Sequence, residues 1–164
     1  MINDLTLQDE QGQTTQIDHI ILSPYGIFVI ETKNYKGWIF GNAKQKQWTQ
    51  TIYQRKHKFQ NPIHQNYRHI KILQSILQDV VDESLFVNVV VFVGDAEFKT
   101  QLPKGVFDNQ QWIAYIKSFQ QLLISTDQMT LIQQRLDKAS LEKSWKTNRE
   151  HVAQLKQRQA NRVK

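Results

Sequence analysis

From Phe86 to Val93 the sequence reads FVNVVVFV, eight residues of which all but Asn88 are β-branched or aromatic. A strand of that composition buries both of its faces, so the chain has to build a sheet with a further layer packed on each side. Ile27-Phe28-Val29-Ile30 is a second run of the same kind, and it leads directly into two charged residues, Glu31 and Lys33. Other strands surround these two. Leu5 and Leu7, then Gln16 to Leu22, read as short strands around a turn at Gly12, and Ser23-Pro24-Tyr25-Gly26 is a turn signal ahead of Ile27. Gly37 to Phe40 and Gln45 to Thr49 suggest a hairpin around Gly41-Asn42. The period then changes. Ile63, Tyr67, Ile70, Leu73, Leu77 and Val80 recur at three and four, which predicts an amphipathic helix with Asn61 as N-cap and Pro62 in its first position. A further helix is expected from Gln110 to Leu123. Ser125-Thr126-Asp127-Gln128 reads as a capping box opening another, with Met129, Ile132 and Leu136 on its apolar face.

The expected fold class is therefore α/β (α+β), a mixed central β-sheet flanked by helices with a C-terminal helical extension. A domain spanning 1–124 and a C-terminal helix with basic tail over 125–164 are the expected divisions; from Lys143 to Lys164 the tail holds seven Lys or Arg against one Glu. Absence of cysteine excludes disulfide frameworks and thiolate zinc sites and fits a reducing interior. No apolar run reaches the roughly 18–20 residues of a membrane span, and Met1 opens on polar residues, so a cytoplasmic protein without a membrane is expected.

Where the charge sits says more than its net value of +6. Thr32 to Gln78 contains no acid at all, while Lys33, Lys36, Lys44, Lys46, Arg55, Lys56, Lys58, Arg68 and Lys71 lie within it. Tyr35, Trp38, Trp48, Tyr53 and Tyr67 are interleaved. Such a segment suits a phosphate backbone, with DNA as partner, and the blander reading is a solvated basic surface. Tyr35, Trp38 and Trp48 are either base-stacking platforms or covers for the core.

Glu31 and Lys33 are two apart on a strand and so share a face, in a segment that is otherwise apolar. Asp18 interrupts the preceding strand. Charges in buried strands cost several kcal/mol each unless paired or bound to a cation. A two-residue loop at Pro24-Tyr25 sets Asp18 opposite Glu31 and Gln16 opposite Lys33, and a divalent metal would relieve the repulsion between the acids. A three-residue loop with Gly26 in a bulge would instead turn Asp18 to the other face. An ordinary strand salt bridge is the alternative for Glu31 and Lys33. His19 is expected to be a hydrogen-bonded core histidine facing away from Asp18, and Asp95 and Glu97 to be surface charges.

Gln16-Ile17-Asp18-His19, then Tyr25-Gly26-Ile27-Phe28-Val29-Ile30-Glu31-Thr32-Lys33-Asn34, and Asn61-Pro62-Ile63-His64-Gln65-Asn66 resemble the motifs of the nuclease-related domain family, a branch of the PD-(D/E)xK nucleases. The resemblance covers roughly residues 3 to 120. It implies a restriction-endonuclease-like core, with Asp18 and Glu31 as metal ligands and the Thr32 carbonyl as a third. It also implies Lys33 acting on the attacking water and the phosphate, and Gln65 contacting the site or the nucleic acid. The implied cofactor is Mg2+, with Mn2+ as substitute, and the implied reaction is phosphodiester hydrolysis. Lys36, Lys44, Lys46, Arg55, Lys56, Lys58 and Arg68 are the expected DNA contacts. Family members open with a helix containing Gly-Glu, and here the first strand follows Met1 almost at once, so that opening helix is expected to be missing. A non-catalytic DNA-binding module and a protein-interaction domain using a Gln128–Lys156 helix are the competing readings.

Overall fold

The computed structural model describes residues 1–8, 12, 14–108 and 110–140. Strands β1 (Ile2–Gln8), β2 (Thr14–Ser23) and β3 (Gly26–Asn34) form an antiparallel meander. Strands β4 (Gly37–Phe40), β5 (Gln47–Ile52) and β6 (Arg55–Gln60) follow, then helix α1 (Pro62–Leu77), strands β7 (Phe86–Val93), β8 (Ala96–Phe98) and β9 (Val106–Asp108), and helix α2 (Gln111–Lys117). A last helix, α3, occupies residues 126–140. The larger sheet has the order β1-β2-β3-β7-β9, with β7 and β9 added in parallel to β3; the smaller has the order β6-β5-β4-β8. This is a mixed α+β fold, consistent with a restriction-endonuclease-like core.

Each face of the large sheet has its own cover, as the two-sided apolar strands require. Ile20, Ile27 and Val29 pack with Ile70, Leu73 and Leu77 of α1 and Ile132 and Leu136 of α3. On the opposite face Phe28, Ile30, Val89 and Val91 meet Trp112, Tyr115 and Ile116 of α2 and Phe119 beyond it. The small sheet closes over the far end of β7, where Ile39 and Trp48 join Val90 and Phe92. Trp48 is 1% exposed and stacks on Phe92 at 6.0 Å. Gly41 makes room for it, since a Cβ there would lie 2.3 Å from the indole ring.

The capping box at α3 forms reciprocally. Ser125 N–H donates to Gln128 Oε1 at 3.0 Å, and Gln128 N–H donates to Ser125 Oγ at 3.2 Å. The helix expected over Gln110–Leu123 is shorter. Phe119 packs on the α2 face and Ile124 on the α3 face, so the chain between them crosses around the sheet, and Leu123 and Ile124 N–H both donate to the Pro24 carbonyl. Strand β6 has no apolar alternation and exists through its ladder to β5. Short β8 and β9 fall where sequence suggested a loop. The buried stripe of α1 is rotated from the expected one: Asn66, His69 and Gln74 are inside, whereas Tyr67 is 53% exposed. The tail from 141 onward, including the expected basic segment and most of the Gln128–Lys156 helix, lies outside the described residues.

Replacing Gly41 with Ala forces a methyl group into the Trp48 ring. Urea denaturation of Gly41→Ala is expected to show a loss of about 1–3 kcal/mol, the usual cost of overpacking a filled core.

Candidate active site

Side chains two apart on β3 share a face, so Ile27, Val29, Glu31 and Lys33 form one row. The first two members belong to the core beneath α1. Glu31 continues the row at 3% exposure, and Lys33 follows where the row reaches the start of the helix. Lys33 Nζ lies 2.7 Å from Glu31 Oε1 and donates to Gln65 Oε1 at 3.0 Å. The acid of this row is buried and its base is mostly so.

Asp18 arrives from β2. Pro24-Tyr25 is a two-residue loop between Ser23 and Gly26, and the ladder runs in that register to His19 opposite Ile30. Beyond this point the Asp18 side chain replaces the ladder, with Oδ2 accepting the Thr32 N–H at 2.8 Å. The bulged alternative therefore does not occur. Gln16 pairs with Thr6 of β1, not with Lys33. Across β1, Asp4 has a positive φ of 51°. Ile17 and Ile20, an odd number apart, nonetheless face the same core, so the side-chain alternation of β2 restarts around Asp18.

Helix α1 supplies the third side of the site. Asn61 is fully buried; its Oδ1 accepts the Ile63 N–H, and its Nδ2 donates to the carbonyls of Asn42, Ala43 and Gln45, tying the helix start to the β4–β5 loop. Asn66 Nδ2 lies 2.7 Å from the Val29 carbonyl and 2.8 Å from Asn88 Oδ1. Asn88 Nδ2 in turn donates to the Ile63 carbonyl at 3.0 Å. These amides lock the first turn of α1 against β3 and β7 and so fix Gln65 beside Lys33. One turn further on, His69 is 5% exposed with Nδ1 3.6 Å from Glu31 Oε2. Sequence reasoning gave Asn66, His69 and Asn88 no role in the site. Asn88 carried a signal, as the one polar residue of an otherwise apolar strand, whereas Asn66 and His69 lie off the stripe that the apolar spacing of α1 predicts.

Burial sets the electrostatics. Desolvation pushes the Glu31 carboxyl above its usual range, Lys33 pulls it back, and the charge of Asp18 pushes it further up. Burial lowers His69, opposed by Asp18 and reinforced by Arg68 and Lys33. Glu31 Oε2 and His69 Nδ1 are both buried without a hydrogen-bond partner. A carboxylate oxygen left so is costly in hydrocarbon and well placed for a cation. Among the described residues no three His, Asp or Glu side chains converge as a metal cage. Asp18 and Glu31 are the two acids of this corner of the fold, near enough that the charge of Asp18 raises Glu31.

The remaining candidates sort by burial. Lys36, Lys44, Lys46, Arg55, Lys56, Lys58 and Arg68 are all exposed. Trp48 is core, and Tyr35 packs edge-on against Phe59 at 4.6 Å, so of the three proposed stacking aromatics Trp38 alone, at 49% exposure, faces solvent. His19 is hydrogen-bonded, its Nδ1 2.9 Å from Asn3 Oδ1, but it is half-buried beside the edge strand β1 and not in the core as expected. Asp95 and Glu97 are exposed, and Glu97 pairs with Lys99. No helix among the described residues is long and apolar enough to cross a membrane.

Asp18, Glu31 and Lys33 thus come from neighbouring inner strands of the large sheet, beside the N-terminal turn of α1, on a fold consistent with a restriction-endonuclease-like core. The nuclease-related domain family matches residues 1–93, and the chain belongs to that family. An uncharacterized protein of Bacillus anthracis is 50% identical over 78 residues, 48% of this chain and 37% of the relative. The chain thus spans little more than a third of that relative's length. No solved structure matches.

Glu31 titrates higher when folded than when unfolded, so folding favours its protonated form, and that contribution is lost as pH rises through the raised pKa. In metal-free protein, Glu31→Gln removes the dependence. Denaturation midpoints across pH 4 to 8 are expected to shift in favour of the variant as pH climbs above about 4.5, the ordinary value for this group, with no relative shift below it.

Proposed function

We propose that this chain is a metal-dependent DNA nuclease domain, hydrolysing phosphodiester bonds at Asp18, Glu31, Lys33 and Gln65. The observation that carries the reading is Glu31: buried, held through one oxygen by Lys33, and unpartnered at the other. Membership of a nuclease-related family supports the same chemistry. Asp18, Glu31 and the Thr32 carbonyl would hold Mg2+, or Mn2+ in its place. A cation there supplies Lewis acidity, lowering the pKa of water and polarising a phosphoryl oxygen.

The chain's own groups do the rest. A lysine ammonium has three N–H donors. Lys33 directs donors to Glu31 Oε1 and Gln65 Oε1, which leaves one for the attacking water or a phosphate oxygen. Gln65 accepts from Lys33 through its carbonyl and keeps its amide N–H groups for the phosphate backbone. Asn66 and Asn88 stop the helix from withdrawing Gln65. The exposed cations from Lys36 to Arg68 neutralise phosphates along the strand, so binding weakens steeply with salt. A cytoplasmic setting belongs to this reading, since the sequence has no cysteine to oxidise.

Cleavage of linear and plasmid DNA tests the proposal directly. With Mg2+ or Mn2+ present, phosphodiester hydrolysis is expected, and Lys33→Ala is expected to lower its rate by about 10²–10⁴-fold. Mn2+ is also expected to raise the melting temperature of the wild type and not that of Glu31→Ala. Salt-sensitive DNA binding with no cleavage under any divalent metal would point instead to a non-catalytic DNA-binding module.

A further inference from the structure

The β5–β6 hairpin ends in a feature that packing does not explain. Tyr53 is 96% exposed and has a positive φ of 53°. A left-handed backbone is uncommon for a bulky side chain, whereas Asn or Gly adopts it readily. Ile52 pairs with Arg55, so Tyr53 and Gln54 form the two-residue loop. The two-residue loop demands the positive φ, but Asn or Gly would meet it without the strain a bulky residue adds. The Tyr53 ring makes no packing contribution there, and non-glycine residues so placed cluster where a ligand is held.

The surroundings fit one kind of ligand. Two adjoining concavities of about 500 and 620 Å³ share Lys36, Ile52 and Tyr53, within the size range of ligand sites. Trp38 lines the first, and Arg55 and His57 line the second. Trp38 is half-exposed, with the Lys99 ammonium 4.7 Å from its ring centroid. Beside them β6 presents Arg55, Lys56, His57 and Lys58 as four successive exposed residues on the edge strand of the small sheet. A strand that merely covered a core would bury every second side chain. Lys36 is three residues past Lys33, so the groove opens within about 11 Å of chain from the proposed catalytic lysine. One carboxylate, Asp95, also lines the groove.

Cations that follow a backbone, interleaved with rings exposed for stacking, are the means by which proteins hold unpaired nucleotides. We propose that the groove between Trp38 and Tyr53 binds single-stranded DNA, with bases stacked on the two rings and phosphates on Lys36 and Arg55. The substrate class this gives the site is DNA with an unpaired stretch, and the inference rests on the nucleic-acid reading above. Edge protection against aggregation would account for the lysines of β6, but it requires neither ring.

The test is fluorescence anisotropy of the full chain with oligo(dT) and with a blunt duplex of equal length, in EDTA so that nothing is cleaved. Tyr53→Asn and Trp38→Ala are each expected to weaken oligo(dT) binding by about tenfold, within the range for one lost base stack, and duplex binding by less than about twofold. Asn tolerates the left-handed backbone, so Tyr53→Asn is expected to melt no lower than the wild type, which separates lost binding from lost folding. Oligo(dT) is also expected to quench tryptophan fluorescence in the wild type and much less in Trp38→Phe. Equal losses on both DNA forms, or no loss on either, would overturn the proposal. If cleavage is seen while both variants bind normally, the groove is wrong and the nuclease reading stands. Selective loss of oligo(dT) binding in a chain that cleaves nothing leaves the groove correct and the catalytic reading wrong.

Discussion

Glu31 sits at the centre of this molecule because it is an acid placed where the fold calls for an apolar residue. It continues the row of Ile27 and Val29 toward α1, with the Lys33 ammonium on one oxygen and the edge of a neutral imidazole near the other. Its desolvation penalty is only partly offset by the lysine, and the charge of Asp18 adds to it. The fold sustains this because the surrounding amides make several hydrogen bonds. Asn61, Asn66 and Asn88 spend their side chains on main-chain carbonyls, and Asn66 and Asn88 also bond each other, so the helix start is held and Gln65 stays beside Lys33.

That constraint explains the division of the molecule into two sheets. The large sheet with α1, α2 and α3 is a filled core, and its role toward the site is to hold β2, β3 and α1 at fixed spacing. The small sheet shares little of that core beyond Trp48, Ile39 and the far end of β7. It carries most of the exposed cations and the exposed rings. Positioning and gripping are thus assigned to different layers, joined through the two residues between Lys33 and Lys36. Rigid support for the reacting groups and an accessible surface for a long polymer make opposite demands on burial, and separate layers meet both.

Comparison with sequence expectation is most informative at the places where the two differ. The register of β2 on β3 was narrowed by sequence to two alternatives, a two-residue loop or a bulged three-residue loop, and the structure has the first, with Ile20 opposite Val29. The end of that ladder was not legible, since Asp18 bonds Thr32 with its side chain and nothing in the residue order signals the substitution. Residues 118–123 were expected to be helical and are irregular because the chain must pass from one face of the sheet to the other. Of three aromatics weighed for stacking, Trp48 is buried and Tyr35 partly buried in the seam between the sheets, and Tyr53, singled out only as one of several rings in a basic segment, is the most exposed ring among the described residues.

The sequence by itself determined the strands that bury both faces, the caps of α1 and α3, the acid-free basic segment, and the motif residues Asp18, Glu31, Lys33 and Gln65. Each is a matter of local period or local chemistry, readable over a few neighbouring residues. Tertiary structure decided that His69 faces Glu31, that Asn66 and Asn88 clamp the helix, and that Trp38 and Tyr53 flank one groove. These relations join residues many positions apart, and they follow from how the layers close over one another, which no short stretch of chain encodes.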